Sequence, residues 1–221
     1  LILSSGTNGR FKGSIDEVKI YNTILSAADI QNQYNQALAA SINSARVSQW
    51  SFDEGIGGMA NDSVGSNDGT LYGGVTWNSS GRVGGALNFN GTNGYVDLKN
   101  NASLTVTNNI TLEVWVNSPV IAGAQQPVLS NRQGLPGGWV YFGTTGNAVF
   151  IYDNLAIPPG RTSDAVLGNS AWYHIVWTSD GATSKFYVNG SPRGVQPQSR
   201  APSLGATYIG YDVSTLDYWN G

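Results

Sequence analysis

WYHIVWTSDGATSKFYVNG, from Trp172 to Gly190, decides the fold class. Apolar and polar residues alternate up to Asp180-Gly181, alternate again up to Asn189-Gly190, and both dipeptides are turn formers. Trp172, His174 and Val176 share one side of the first half, as a period of two requires. A β-hairpin follows, and the same pattern spreads outward through WSFDE, GALNFNG, YVDLK, ITLEVWVNS, QPVLSNR, WVYFGTT, NAVFIYDN and ATYIGYD. Many short strands separated by Asn-Gly and similar turns, with almost no helical periodicity, predict an all-β protein built as a two-sheet antiparallel sandwich.

Composition supports this class and excludes several functions. Charged residues make up only 11% of the chain and aromatics another 11%, with 29 glycines, a balance suited to strands, turns and an extracellular setting. The absence of cysteine removes disulfides, thiol nucleophiles and thiolate metal sites. A net charge of −3 and a pI near 4.9 offer nucleic acid no basic surface. No apolar run approaches the roughly 20 residues of a membrane helix.

One segment departs from the strand pattern. LSAADIQNQYNQALAA has Ser26 as N-cap, Asp29 three residues later, and Ile30, Tyr34 and Leu38 at helical spacing, which predicts a short helix over 27–38. The small, polar residues 39–48 read as a linker, and 49–221 as the sandwich. Upstream, RFKGSIDEVKIYN (Arg10 to Asn22) reads as the last strand of a β-domain, although it comes first. The two ends also resemble each other loosely, Leu1–Gly13 against Tyr208–Gly221, as in successive repeats.

WSFDEGIGGMANDSVGSNDGTL, GRVGGALNFNGTNGYVDL, TLEVWVNS, AWYHIVWTSDGATSKFYVNG and TYIGYD, in this order, resemble the laminin G-like domains of the concanavalin A-like superfamily. The resemblance implies a jelly-roll sandwich with one short helix near the N-terminus of this chain, and it places FKGSIDEVKIYN and the helix after YWNG, at the domain's end. Here that ending comes first. Circular permutation, a tandem array and a strand-exchanged polymer all accommodate the phase. In the last two, residues 1–38 complete a neighbouring unit through Phe11, Ile15, Val18, Ile20 and Tyr21, so the partners are copies of the chain or tandem neighbours. Strict alternation puts Asp16 on the face of Val18 and Ile20.

The loop ANDSVGSNDGT groups Asp62, Asn67 and Asp68, oxygen donors of the kind that hold calcium, and equally the composition of an Asx-type turn. The resemblance implies a calcium ion between this loop and Asp16. Trp139, Tyr141 and Tyr152, beside Asp153 and Asn154, are candidates for stacking on a sugar. His174 reads as structural. The glutamates Glu17, Glu54 and Glu113 lack the E-x-D-x-x-E pattern of the glucanases, which predicts no catalysis. The leading expectation is a non-catalytic structural module of an extracellular, bacterial surface array or fibre; the alternative is a calcium-dependent glycan-binding module.

Overall fold

The computed structural model describes residues 13–34, 45–99, 101–107, 109–121, 126–130, 140–153, 160–197, 203–204, 208–212 and 217–218. Phe11, Trp139 and Asn154 lie outside them. The first half of the chain forms β1 (Gly13–Tyr21), α1 (Ala27–Tyr34), β2 (Arg46–Trp50), β3 (Met59–Ala60), β4 (Gly69–Tyr72), β5 (Thr76–Asn78), β6 (Ala86–Phe89), β7 (Tyr95–Asp97) and β8 (Val106–Thr107). The second half forms β9 (Ile110–Asn117), β10 (Gln126–Ser130), β11 (Val140–Thr145), β12 (Ala148–Asp153), β13 (Gly160–Thr162), β14 (Tyr173–Ser179) and β15 (Thr183–Val188). β16 (Ser191–Pro197), β17 (Ser203–Leu204), β18 (Tyr208–Ile209), β19 (Tyr211–Asp212) and β20 (Asp217–Tyr218) follow.

Two antiparallel sheets hold most of these strands. The first runs β16-β15-β14-β9-β1-β6-β5, with β2 also paired to β1, and the second runs β13-β12-β11-β10-β18-β7-β4-β3. Alternate residues of each strand point between the sheets, where Ile15, Val18, Ile20, Trp50, Leu112, Val114, Ile175, Trp177, Phe142 and Ile151 form one continuous core. The jelly-roll expectation holds, and the β14–β15 hairpin pairs Ile175 with Val188 and Ser179 with Ser184.

β1 is central in its own chain's sheet. It pairs with β9 from Ser14 to Tyr21 on one side, and with β6 and then β2 on the other. The expected donation of residues 1–38 to a neighbouring unit finds no support in the described part, where Ile15, Val18, Ile20 and Tyr21 are at most 1% exposed within this chain. The physical reason lies in the pairing of Tyr21 with Arg46, which sets the two ends of the intervening connection side by side. Arg46–Ser48, read as linker, belong to β2. Gly13 sits where an added Cβ would fall 1.2 Å from the Asn117 carbonyl oxygen, so only glycine lets β1 approach β9 there.

A β-bulge breaks the alternation of β1. The register slips between Asp16 and Lys19, and Glu17 takes a left-handed φ of 50°. Asp16 consequently pairs with Trp115 on the outer face, whereas Val18 and Ile20 point into the core, so the predicted shared face is wrong by one residue. WSFDE is likewise strand only at Trp50; Phe52 adopts φ 58° and turns the chain away.

α1 begins as the capping pattern predicts. Ser26 Oγ accepts the Asp29 N–H at 3.1 Å, and Asp29 Oδ2 accepts the Ser26 N–H at 3.0 Å. Its apolar side buries Ile30 against Tyr21, Leu25, Val176 and Tyr187, a second small core on the outer face of the first sheet. Residues 35–38 of the predicted helix lie outside the described residues.

Candidate functional site

Beside that second core, the outer face of the first sheet carries a polar network around a pocket of about 300 Å³. The bulge aims Glu17 into it, β1 contributes Lys19, β2 contributes Arg46 and Gln49, α1 contributes Gln33, β9 contributes Trp115, and Val83 borders it. Period-two geometry explains the convergence, since Lys19 faces Gln49 and Tyr21 faces Arg46 across the β1–β2 ladder.

Glu113, fully buried at the base, organises the network. Its Oε1 lies 3.4 Å from Lys19 Nζ and accepts from His174 Nε2 at 3.1 Å, while Oε2 accepts the Tyr21 hydroxyl at 3.2 Å. Burial alone would raise this carboxyl, but the Lys19 cation and the His174 hydrogen bond outweigh it and hold Glu113 down at about 2. Burial likewise works against the Lys19 ammonium, and Glu113 and Glu17 more than offset it, leaving Lys19 raised. Lys19 also meets Glu17 Oε2 at 3.2 Å, the same oxygen that accepts from Gln49 Nε2 at 2.8 Å. Arg46 donates to Gln49 Oε1 and lies over the Tyr21 ring.

Gln33 is 6% exposed and donates its Nε2 to the Tyr21 hydroxyl, but its Oε1 is buried without a partner among the described residues. Leaving a buried acceptor unpaired costs about 1–3 kcal/mol. Trp115 forms the aromatic wall. Arg82 stacks 4.9 Å above the indole, and Tyr34 stacks on it at 6.0 Å.

Asp16 lies nearby on the same face, with no exposed surface. Its Oδ2 accepts the Val83 N–H at 3.0 Å and its Oδ1 has no partner among the described residues. Burial, only partly countered by backbone hydrogen bonds, pushes this carboxyl up to about 7.

Of the predicted calcium donors, Asp62, Asn67 and Asp68 bond to one another in a single turn, and Asp16, which accepts from Val83, does not join them. Asp62 accepts N–H bonds from Gln49, Val64, Gly65 and Asn67 and a further bond from Asn67 Nδ2. Burial would raise its carboxyl, but these donors, Gly65 foremost, hold it low. Asn67 is equally committed, giving Nδ2 to Ser48 Oγ and accepting from Ser103 at Oδ1, and Asp68 Oδ1 accepts the Asp62 N–H. Among the described residues Asp16 and Asp62 share no hydrogen-bond partner, and no group of three or more His, Asp or Glu is spaced for a metal ion. A calcium ion needs about 6–8 oxygens, which this closed Asx-type turn does not offer.

The predicted sugar-stacking residues sit in the other layer. Tyr141 pairs with Tyr152, and Val140 with Asp153, across β11 and β12 of the second sheet, and Tyr152 is half-buried. Sequence reasoning missed Lys19, Gln33, Arg46, Gln49 and Trp115, and weighed Glu17 only for catalysis. Only Trp115 carried a signal, as a large aromatic at an outward position between core residues Val114 and Val116.

A family model described as the concanavalin A-like lectin/glucanases superfamily, of laminin G type, matches residues 90–221. No curated protein matches. Domain 4 of AbnA, a GH43 extracellular arabinanase from Geobacillus stearothermophilus solved with arabinotriose, shares 18% identity at a TM-score of 0.56, over 72% of this chain and 82% of that one. A candidate carbohydrate-binding protein from Bacteroides ovatus ATCC 8483 aligns at 12% identity and a TM-score of 0.42, over 98% of this chain and 71% of that one. With its two sheets, their order along the chain and the family match over more than half its length, the chain belongs to the laminin G-like domains of the concanavalin A-like lectin/glucanase superfamily.

Proposed function

We propose that this protein is a non-catalytic carbohydrate-binding module acting outside the cell, and that its sugar occupies the pocket formed by Glu17, Lys19, Gln33, Arg46, Gln49 and Trp115. The observation that carries the proposal is the make-up of that pocket, in which the amides of Gln33 and Gln49 stand beside the Glu17, Lys19 and Arg46 side chains and the Trp115 ring. These amides and charged side chains offer the mixed donors and acceptors that sugar hydroxyl groups require. Two carboxylates, Glu17 and Glu113, and two cations, Lys19 and Arg46, balance at the pocket, which favours neutral sugars over acidic ones. The AbnA domain, whose structure contains arabinotriose, adds support at the level of fold.

The carboxylates favour binding over hydrolysis. A general acid needs a raised pKa and access to the leaving group. Glu113 is held charged and Asp16 is sealed beneath Val83. Isothermal titration with arabinotriose, xylotriose and cellotriose tests the proposal. Saturable binding of one of them, weakened about tenfold in Gln33→Ala, is expected; absence of binding to all three refutes it.

A further inference from the structure

Asn90-Gly91, in the turn between β6 and β7, holds its side chain differently from the other Asn-Gly pairs among the described residues, Asn93-Gly94 and Asn189-Gly190. Asn90 is exposed, and its Oδ1 sits in a nest of three backbone donors, the Thr92 N–H at 2.9 Å and the Asn93 and Gly94 N–H groups at 3.1 Å each. The Thr92 hydroxyl donates to the main-chain carbonyl oxygen of Asn90 at 3.2 Å. Gly91 has a left-handed φ of 66° and no Cβ to crowd its nitrogen.

Both sets of bonds bear on one reaction. An asparagine followed by glycine loses ammonia when the glycine nitrogen attacks the side-chain carbonyl carbon and closes a five-membered imide; adjacency in the chain supplies the proximity. Negative charge develops on Oδ1 as the nitrogen adds, and three N–H donors already aimed at that oxygen stabilise it as an oxyanion hole does. The nitrogen attacks after losing its proton. Its charge then spreads to the carbonyl oxygen of the same peptide, the atom that the Thr92 hydroxyl reaches, and a hydrogen bond to the charged form favours it.

We infer that Asn90 is a modification site at which the chain deamidates itself, ahead of Asn93 and Asn189. Solvent takes the Gly91 N–H proton, the bond from Gly91 N to Asn90 Cγ forms, and the Cγ–Nδ2 bond breaks, with Nδ2 leaving as ammonia on gaining a solvent proton. Water then opens the imide at either carbonyl, giving aspartate or isoaspartate, and no oxidant or further reactant is consumed. The other two pairs lack this arrangement. The Gly94 N–H, whose nitrogen would attack Asn93, is committed to Asn90 Oδ1, and Asn189 Oδ1 accepts one backbone donor, His174 N, among the described residues. The aspartate product keeps the nest and adds a negative charge, but loses the Nδ2 donor that Asn93 Oδ1 accepts at 2.7 Å. Isoaspartate also lengthens the main chain by one methylene, drawing Asn93 Oδ1 away from the Gly74 N–H that it accepts at 3.1 Å, so the tie between the β4–β5 and β6–β7 turns loosens as the protein ages.

Incubation of the full folded chain in mildly alkaline buffer, followed by peptide mapping with mass spectrometry and isoaspartyl methyltransferase labelling, tests the inference. Asn90 should convert about tenfold faster than Asn93 or Asn189, whereas the same chain unfolded in guanidinium chloride should convert the three at similar rates. Thr92 is exposed, so Thr92→Val disturbs no core; it should slow Asn90 several-fold, and Thr92→Ser, which keeps the hydroxyl, should not. Conversion of Asn93 or Asn189 as fast as Asn90 in the folded chain overturns the inference. So does an Asn90 rate that stays the same or rises on unfolding, and so does a Thr92→Val chain that deamidates at the wild-type rate.

Discussion

Deleting residues 1–22 removes β1 from the centre of the first sheet. Ile15, Val18, Ile20 and Tyr21 are at most 1% exposed, and burying four such side chains is worth about 6–12 kcal/mol before ordering costs. Total stability of a domain is about 5–15 kcal/mol, so the truncated chain should not fold cooperatively. It also loses the β1 ladder hydrogen bonds to β9, β6 and β2. A synthetic peptide spanning residues 13–34, added in trans, should restore the fold, because the slot is defined by side chains and backbone groups that the remainder retains. The assay is a near-ultraviolet circular dichroism melt of the truncated chain with increasing peptide, alongside the same peptide carrying Ile20→Asp. Recovery of a cooperative transition with the first peptide and not the second is expected. A truncated chain that melts cooperatively at the wild-type temperature without peptide would refute the assignment of β1 as a core strand.

Two further outcomes follow from the site. Asp16 has a folded pKa of about 7 against an ordinary value of 3.8, so the unfolded chain gives up this proton first, and its contribution to stability, full below pH 3.8, is lost as pH rises to 7. Asp16→Asn should abolish that decline, worth up to about 4 kcal/mol, and be more stable than wild type at pH 8, read by urea titration at pH 4, 6 and 8; an unchanged pH slope counts against the burial argument. Glu113 has the opposite sign, its contribution being lost as pH falls from 4.5 towards 2. Because Asp62 is already saturated by N–H donors, a chelator should leave the melting temperature unchanged and added calcium should not raise it; a calcium-dependent rise would show that the Asp62 turn opens around the ion.

The layered fold and the start of α1 were legible because both rest on local rules: alternation along Tyr173–Ser179, the turn at Asp180, and the reciprocal Ser26–Asp29 cap. The site was not. Its geometry depends on the single extra residue of the β1 bulge, which moves Asp16 to a face that strict alternation denies it, and no local signal announces a left-handed glutamate at position 17. Gln33, Arg46 and Gln49 are ordinary polar residues whose convergence arises only when α1 and β2 dock beside β1. Asp62, Asn67 and Asp68 have the same composition whether they cradle a cation or cap their own backbone, and only the hydrogen-bond count separates the two.

The central position of β1 also has a consequence for synthesis. Ile15 pairs with Leu87 and Val116, so the ribosome completes β1 well before either neighbour exists. At about 5–20 residues per second, the strand waits several seconds for β6 and longer for β9. During that interval an uninterrupted apolar strand would invite pairing with other nascent chains. Asp16, Glu17 and Lys19 interrupt it, so the same charges that later surround the pocket keep the unpaired strand soluble until its partners emerge.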